Sequence, residues 1–209
     1  MDDSSNPMTA QRKKPLLRGK ISIRTILPNM VTLSAFVMGL TSIRLAILGK
    51  YELALACLAA AAILDALDGT VARLLKSTSR FGAELDSLSD VVAFGVAPAV
   101  MIYLWSLSSL DRIGWAAATI FSVATALRLA RFNAHLDDEE EPHKKLGFFT
   151  GIPAPLGASL MVLPMVLDYS FTDGFIQGYP GFVALHGIII ALLMVSTIPT
   201  PSLKKLRIH

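Results

Sequence analysis

Six apolar stretches, near residues 26–48, 52–75, 85–106, 113–134, 150–168 and 181–198, constrain this 209-residue chain more than any other feature. A hydrocarbon core of roughly 30 Å is crossed by about 20 apolar residues in helical conformation. Lipid offers no partner to backbone N–H and C=O groups, so segments of this kind fold as helices that satisfy those groups internally. With 53% hydrophobic and only 17% charged residues, the composition excludes an ordinary soluble domain. The expected architecture is an all-α integral membrane protein of six transmembrane helices, with little chain left for a separate soluble domain.

About 25 polar residues precede the first stretch, which is too long for a signal-peptide core and lacks a small-residue cleavage site, so it is expected to stay as a span. The single Cys57 lies in an alanine- and leucine-rich span and fits a small core residue. Six spans put both termini on one side. Sixteen of the 19 Lys and Arg residues fall there, from Arg12 through Arg24, at Arg73, Lys76, Arg80, Arg128, Arg131, Lys144 and Lys145, and from Lys204 to Arg207, leaving Arg44, Lys50 and Arg112 near the other. Basic flanks of short loops remain cytoplasmic, so both termini are expected in the cytoplasm, as in a bacterial inner-membrane protein. The net charge of +3 thus concentrates on one face and suits anionic lipid headgroups. No nucleic-acid module is recognisable. Residues 1–25 read as a cytoplasmic segment in which Leu16–Ile26 interleaves basic and apolar residues, as an interfacial helix or a plain basic flank would. Residues 26–198 form the helical domain and 199–209 a basic tail. The run Asp137–Glu141 before Pro142 reads as a solvated loop.

Four acids, Asp65, Asp68, Asp86 and Asp90, sit inside apolar segments, where ionisable groups are costly and mark functional sites by default. On helices, Asp65, Asp68 and Ala72 share one face of the second span, and Gly82, Asp86 and Asp90 share one face of the third. The linker between Arg73 and Gly82 is polar enough to turn the chain at the surface and make the two helices antiparallel. At a rise of ~1.5 Å per residue, Asp65 and Asp90 then lie ~12 Å from the turn, and Asp68 and Asp86 ~6–8 Å from it. Two rows of carboxylates face each other, with Arg73 as the expected nearby cation.

Such a group cannot ionise fully in a low dielectric without compensation. Oxygen-only ligands favour hard cations, Mg²⁺ or Mn²⁺, and the absence of His and Cys argues against zinc. Two such ions can clamp the attacking and leaving oxygens of a phosphoryl displacement. The small residues Gly69, Ala72 and Gly82 would admit a ligand close to the backbone, or would serve tight helix packing.

The segment from Asp65 to Asp90 reads D-x-x-D-G-x-x-A-R, eight residues, then G-x-x-x-D-x-x-x-D. It resembles the CDP-alcohol phosphatidyltransferase motif at every fixed position. The resemblance implies six transmembrane helices, a homodimer, a cytoplasm-facing polar cavity, and transfer of a phosphatidyl group from a CDP-lipid with release of CMP. By position it implies that Asp65, Asp68 and Asp86 ligate two divalent cations, and that Asp90 both stands near them and acts as general base. Gly69, Ala72, Arg73, Ser79 and Gly82 would line the CDP site. Pro28-Asn29-Met30-Val31-Thr32 resembles the P-N-x-x-T stretch of the same family, making Asn29 and Thr32 candidate nucleotide contacts. The other reading of Pro28 and Asn29 is a helix start.

Two further segments, Arg128-Leu129-Ala130-Arg131-Phe132-Asn133 and Phe148-Phe149-Thr150-Gly151-Ile152-Pro153-Ala154-Pro155, resemble the phosphatidylserine synthase branch. That implies L-serine as acceptor and CDP-diacylglycerol as donor. Serine carries a carboxylate that an arginine binds bidentately, and Arg128 and Arg131 stand three residues apart, with Asn133 able to add a polar contact. Either arginine would equally serve as a positive-inside anchor on lipid phosphate. Glycerol 3-phosphate, an inositol phosphate and choline stay open as acceptors, and a cation transporter is the alternative from another class.

Overall fold

A computed structural model describes residues 23–75, 79–134, 148–150, 152–172, 174–196 and 199–201. The expected interfacial helix falls almost wholly outside these residues, as do the acidic run near Asp137 and the end of the basic tail. Ile23 to Ile26 run without a break into the first helix.

Seven α-helices make up the described bundle: α1 (Ile23–Ile47), α2 (Tyr51–Leu74), α3 (Arg80–Asp90), α4 (Ala97–Trp105), α5 (Asp111–Ala134), α6 (Ala154–Leu167) and α7 (Pro180–Val195). Helices α3 and α4 are parts of one continuous helix, Arg80–Trp105, joined through a π-helical turn at Val91–Val96. A second π-helical turn, Asp168–Thr172, extends α6. Among the described residues, a short antiparallel ribbon pairs β1 (Phe148–Thr150) with β2 (Pro199–Pro201).

Among the described residues, five helical stretches are long and apolar enough to cross a membrane: Ile26–Ile47, Tyr51–Leu74, Arg80–Trp105, Leu107–Ala134 and Ala154–Thr172. The expected sixth, 181–198, is the 16-residue α7. At ~1.5 Å per residue it is about 24 Å long, short of the roughly 30 Å core. After Val195 the sequence turns polar at Ser196 and Thr197, the backbone leaves the helix at Ser196, and β2 carries Pro199 and Pro201. The fifth helix begins at Ala154, later than the apolar run suggests, because β1 takes residues 148–150 and Pro153 and Pro155 start the helix.

Local sequence explains how these helices connect. Gly49 adopts φ +72°, a conformation that costs glycine little, and places its N–H on Ala46 O while Lys50 N–H reaches Leu45 O. This Schellman ending reverses the chain within three residues, so α1 and α2 form a long antiparallel pair. Ser79 caps α3, its Oγ accepting from Gly82 N at 3.0 Å.

The core is made of small and flexible side chains around α4, whose Ala97, Ala99, Met101, Ile102 and Trp105 are all buried. Gly39 lets α1 approach this core: a Cβ there would stand 2.8 Å from Ala93 Cα in the π turn. Leu33, Val37 and Leu40 on α1, Ile120, Val123 and Leu127 on α5, and Leu185, Ile189 and Leu192 on α7 form exposed stripes at helical spacing. Outward apolar stripes around a small-residue interior are the pattern of a bundle in lipid.

Candidate functional site

Helix α2 buries Ala54, Leu58 and Ala61 on one face, and two turns further along the same face carries Asp68. The packing face therefore becomes the acidic face near the end of the helix. Across from it, α3 presents Asp86 and Asp90. One oxygen from each of Asp65, Asp68 and Asp86 lies within 4.8 Å of the others. Asp90 stands outside this trio and joins it through a side-chain hydrogen bond with Asp65. Asp65 meets Asp90, as the expected depths require, while Asp86 lies within reach of both Asp65 and Asp68 and so does not pair with Asp68 alone.

The trio has the composition of a hard-cation site, with three carboxylates and neither His nor Cys. Asp86 Oδ1 is buried and has no hydrogen-bond partner among the described residues. A buried anionic oxygen without a donor is costly, and a divalent ion would satisfy it. The residues present thus fit a metal.

A cavity of about 140 Å³ opens beside the trio, lined on α1 by Pro28, Asn29 and Thr32, on α2 by Asp68, Gly69 and Ala72, and on α3 by Ala83 and Asp86, with Ser79 and Gly82 at its edge. It contains six of the seven residues expected to contact nucleotide. Gly69 has nothing within 4 Å of where a Cβ would be, so tight helix packing does not explain it. Gly82 is closely surrounded, a Cβ there meeting Asn29 Oδ1 and Ser79 Oγ at 3.1 Å. Thr32 points its hydroxyl at the acids: Oγ1 donates to Asp68 Oδ2 at 2.7 Å.

Arg73, the seventh, is exposed and folds back on its own helix, Nε donating to Gly69 O at 3.0 Å. Arg128 on α5, by contrast, interacts electrostatically with Asp90, and its buried Nε has no hydrogen-bond partner among the described residues. Arg131, one turn along, diverges: its Nη1 donates to Val195 O at 2.8 Å and ties α5 to the end of α7. Asn133 bonds Ser87 of α3, its Nδ2 donating to Oγ at 2.9 Å. The three α5 residues therefore separate into one facing the acids and two holding helices together.

Several contributors escaped the sequence reading. Ala83 and Ser87 occupy variable positions of the motif and carry no signal of their own, while Pro28, read from sequence as part of the P-N-x-x-T stretch or a helix start, also lines the cavity. Asp168, only 2% exposed, is a fifth acid in an apolar segment. Its Oδ1 accepts from Thr172 Oγ1 at 2.6 Å and Ile176 N at 2.7 Å, so it fastens the turn before α7. Counting buried acids in apolar runs would have found it, although not its structural job.

Residues 25–198, most of the chain, match the CDP-alcohol phosphatidyltransferase family. The chain belongs to this family. Membership agrees with the five long apolar helices, and together they make it a multi-pass membrane protein. Among its relatives, the CDP-diacylglycerol–serine O-phosphatidyltransferase of Mycobacterium leprae is 43% identical over 186 residues, covering 89% of this chain and 61% of the relative. Proteins of the same name from Helicobacter pylori strain J99 and Bacillus subtilis are 42% and 32% identical, covering 87% and 86% of this chain and 74% and 92% of their own lengths. The chain spans less than two thirds of the mycobacterial relatives it matches, 61% of the M. leprae protein and 64% of that from M. tuberculosis strain H37Rv.

Proposed function

We propose that this family member transfers a phosphatidyl group from CDP-diacylglycerol to the hydroxyl of L-serine, releasing CMP. The observation that carries the reading is the carboxylate trio beside a cavity lined from three helices, in a chain whose relatives bear that activity in their names. The proposed catalytic domain is 26–198, with α7 as a short sixth span, both termini cytoplasmic in a bacterial inner membrane, and a homodimer as the assembled form. The bias of Lys and Arg to one side of the spans supports the orientation.

Asp65, Asp68 and Asp86 would hold two divalent cations, Mg²⁺ or Mn²⁺, with Asp90 adjoining through Asp65. When bound, these ions supply charge compensation to the pyrophosphate and to the reacting phosphorus. Gly69 and the small side chain of Ala72 would leave room for the nucleotide, with Asn29, Thr32, Ser79 and Gly82 lining the same cavity, and Arg73, next to Ala72 in sequence, would meet the pyrophosphate. Arg128 is placed to bind the serine carboxylate beside Asp90, with Arg131 and Asn133 holding α5 in position. The Asp90 carboxylate takes the serine proton as the serine oxygen bonds to phosphorus and the bond to the CMP oxygen breaks.

Turnover of radiolabelled CDP-diacylglycerol by purified protein, with serine, glycerol 3-phosphate, inositol phosphate and choline in parallel, tests this directly. Serine-dependent formation of phosphatidylserine is the expected result. Product with another acceptor alone removes the serine assignment, and no CMP release with any acceptor removes the transferase reading.

A further inference from the structure

One residue ties both acid-bearing helices to α1. The Thr32 hydroxyl donates to Asp68 Oδ2 at 2.7 Å across 36 positions of sequence, and the Thr32 carbonyl accepts from Ser89 Oγ at 3.3 Å, next to Asp90 in α3. All three are buried, with Thr32, Asp68 and Ser89 at 5%, 6% and 4% exposure, so the links are shielded from water. Oγ1 also lies 3.2 Å from Pro28 O. A hydroxyl has one proton, and the shorter contact to a carboxylate is the stronger claim on it.

We propose that Thr32 is a positioning residue for the divalent-cation site, fixing the Asp68 carboxylate and holding the acids of α2 and α3 in register, rather than a nucleotide contact. The proposal rests on the metal reading above. A carboxylate rotates easily about its last torsion, and a cation needs its donors held in place before it arrives. Pinning Oδ2 from α1 restrains that rotation and so fixes how the Asp68 carboxylate faces the other acids. The backbone link to Ser89 makes the same residue a spacer between the acidic rows. Hydrogen bonds to metal ligands commonly matter 10–100-fold in affinity or activity.

The test is Mn²⁺ binding by the purified full chain, followed by electron paramagnetic resonance without CDP-lipid, in wild type, Thr32→Val, Thr32→Ala and Thr32→Ser, with CDP affinity measured separately at saturating Mn²⁺. Thr32→Val is expected to weaken Mn²⁺ about 10-fold or more, Thr32→Ser to restore it, and CDP affinity at saturating Mn²⁺ to hold. If Thr32→Val does not fold, the comparison of Ala with Ser decides by the same rule, since only Ser keeps the hydroxyl. Unchanged Mn²⁺ affinity without the hydroxyl overturns the positioning role. So does lost CDP affinity with Mn²⁺ affinity intact, which would return Thr32 to the nucleotide. Wild-type protein that binds no Mn²⁺ overturns the metal reading itself, and this proposal with it, a failure recognised before any variant is examined.

Discussion

Asp90 has neighbours of opposite sign: its side chain bonds Asp65 on α2, and the charge of Arg128 reaches it from α5. On the proposed reading, this carboxylate would stand between an acid that holds metal and an arginine that binds the acceptor, and would take the proton of an alcohol held there. Asp90→Asn keeps the shape and removes the base, so turnover is expected to fall about 10²-fold or more while CDP-lipid binding persists. Calorimetry separates the two quantities, and loss of Mn²⁺ and CDP-lipid binding together would recast Asp90 as chiefly a ligand. The two arginines should also separate. Arg128→Ala is expected to raise the KM for serine more than that for CDP-diacylglycerol, since a carboxylate contact serves the acceptor alone. Arg131→Ala should instead cost about 1 kcal/mol of stability through its lost bond to Val195 O, with the two KM values moving little. An equal rise in both KM values for Arg128→Ala would assign it to lipid phosphate. Sequence spacing put both arginines on one helical surface. It could not resolve them, because a separation of three residues leaves an angle of about 60° between side chains, enough to send one to Asp90 and the other to α7.

Helix by helix, the acidic pair was readable because its geometry is local. Fixed spacing along two helices and a short polar link determine which carboxylates meet, and Asp65 does meet Asp90. What escaped depends on backbone departures that hydropathy does not register. The π-helical turn after Asp90, where Ala97 N–H reaches Val92 O, inserts an extra residue without changing the apolar pattern. The shortness of α7 is hidden because averaged hydropathy carries Ser196, Thr197 and Pro199 along with the strongly apolar run before them. The link from Thr32 to Asp68 is non-local and follows only once α1 is packed on α2. The same turn sets a limit on α1. Since a Cβ at Gly39 would stand 2.8 Å from Ala93 Cα, Gly39→Val is expected to destabilise the fold by about 1–3 kcal/mol and to push α1 from α3. Thermal unfolding in detergent reads the first effect and weaker Mn²⁺ binding the second. A variant with unchanged midpoint would mean that the helices separate freely there.

For the molecule as a whole, the metal reading predicts that excess EDTA abolishes transfer and that added Mn²⁺ or Mg²⁺ restores it, with Asp65→Asn and Asp68→Asn each severely impaired. Folded protein that retains full turnover in EDTA would end that reading. The cavity is formed by the early turns of α1, the last turns of α2 and the first turns of α3, so it occupies one end of the bundle. Asp168, Gln177 and Ser106 close the opposite end through their own hydrogen bonds, Gln177 Nε2 donating to Trp105 O at 2.7 Å and Ser106 Oγ to Gln177 O at 2.9 Å. A one-ended site has a consequence for the bilayer itself. A zwitterionic or anionic headgroup pays heavily to cross hydrocarbon, so the phospholipid of the proposed transfer would stay in the leaflet where it is made. Under the proposed transfer, each turnover would replace one two-chain lipid by another in that leaflet, leaving the number of lipids there unchanged, and the product would reach the opposite leaflet only through a separate catalyst of lipid flip-flop.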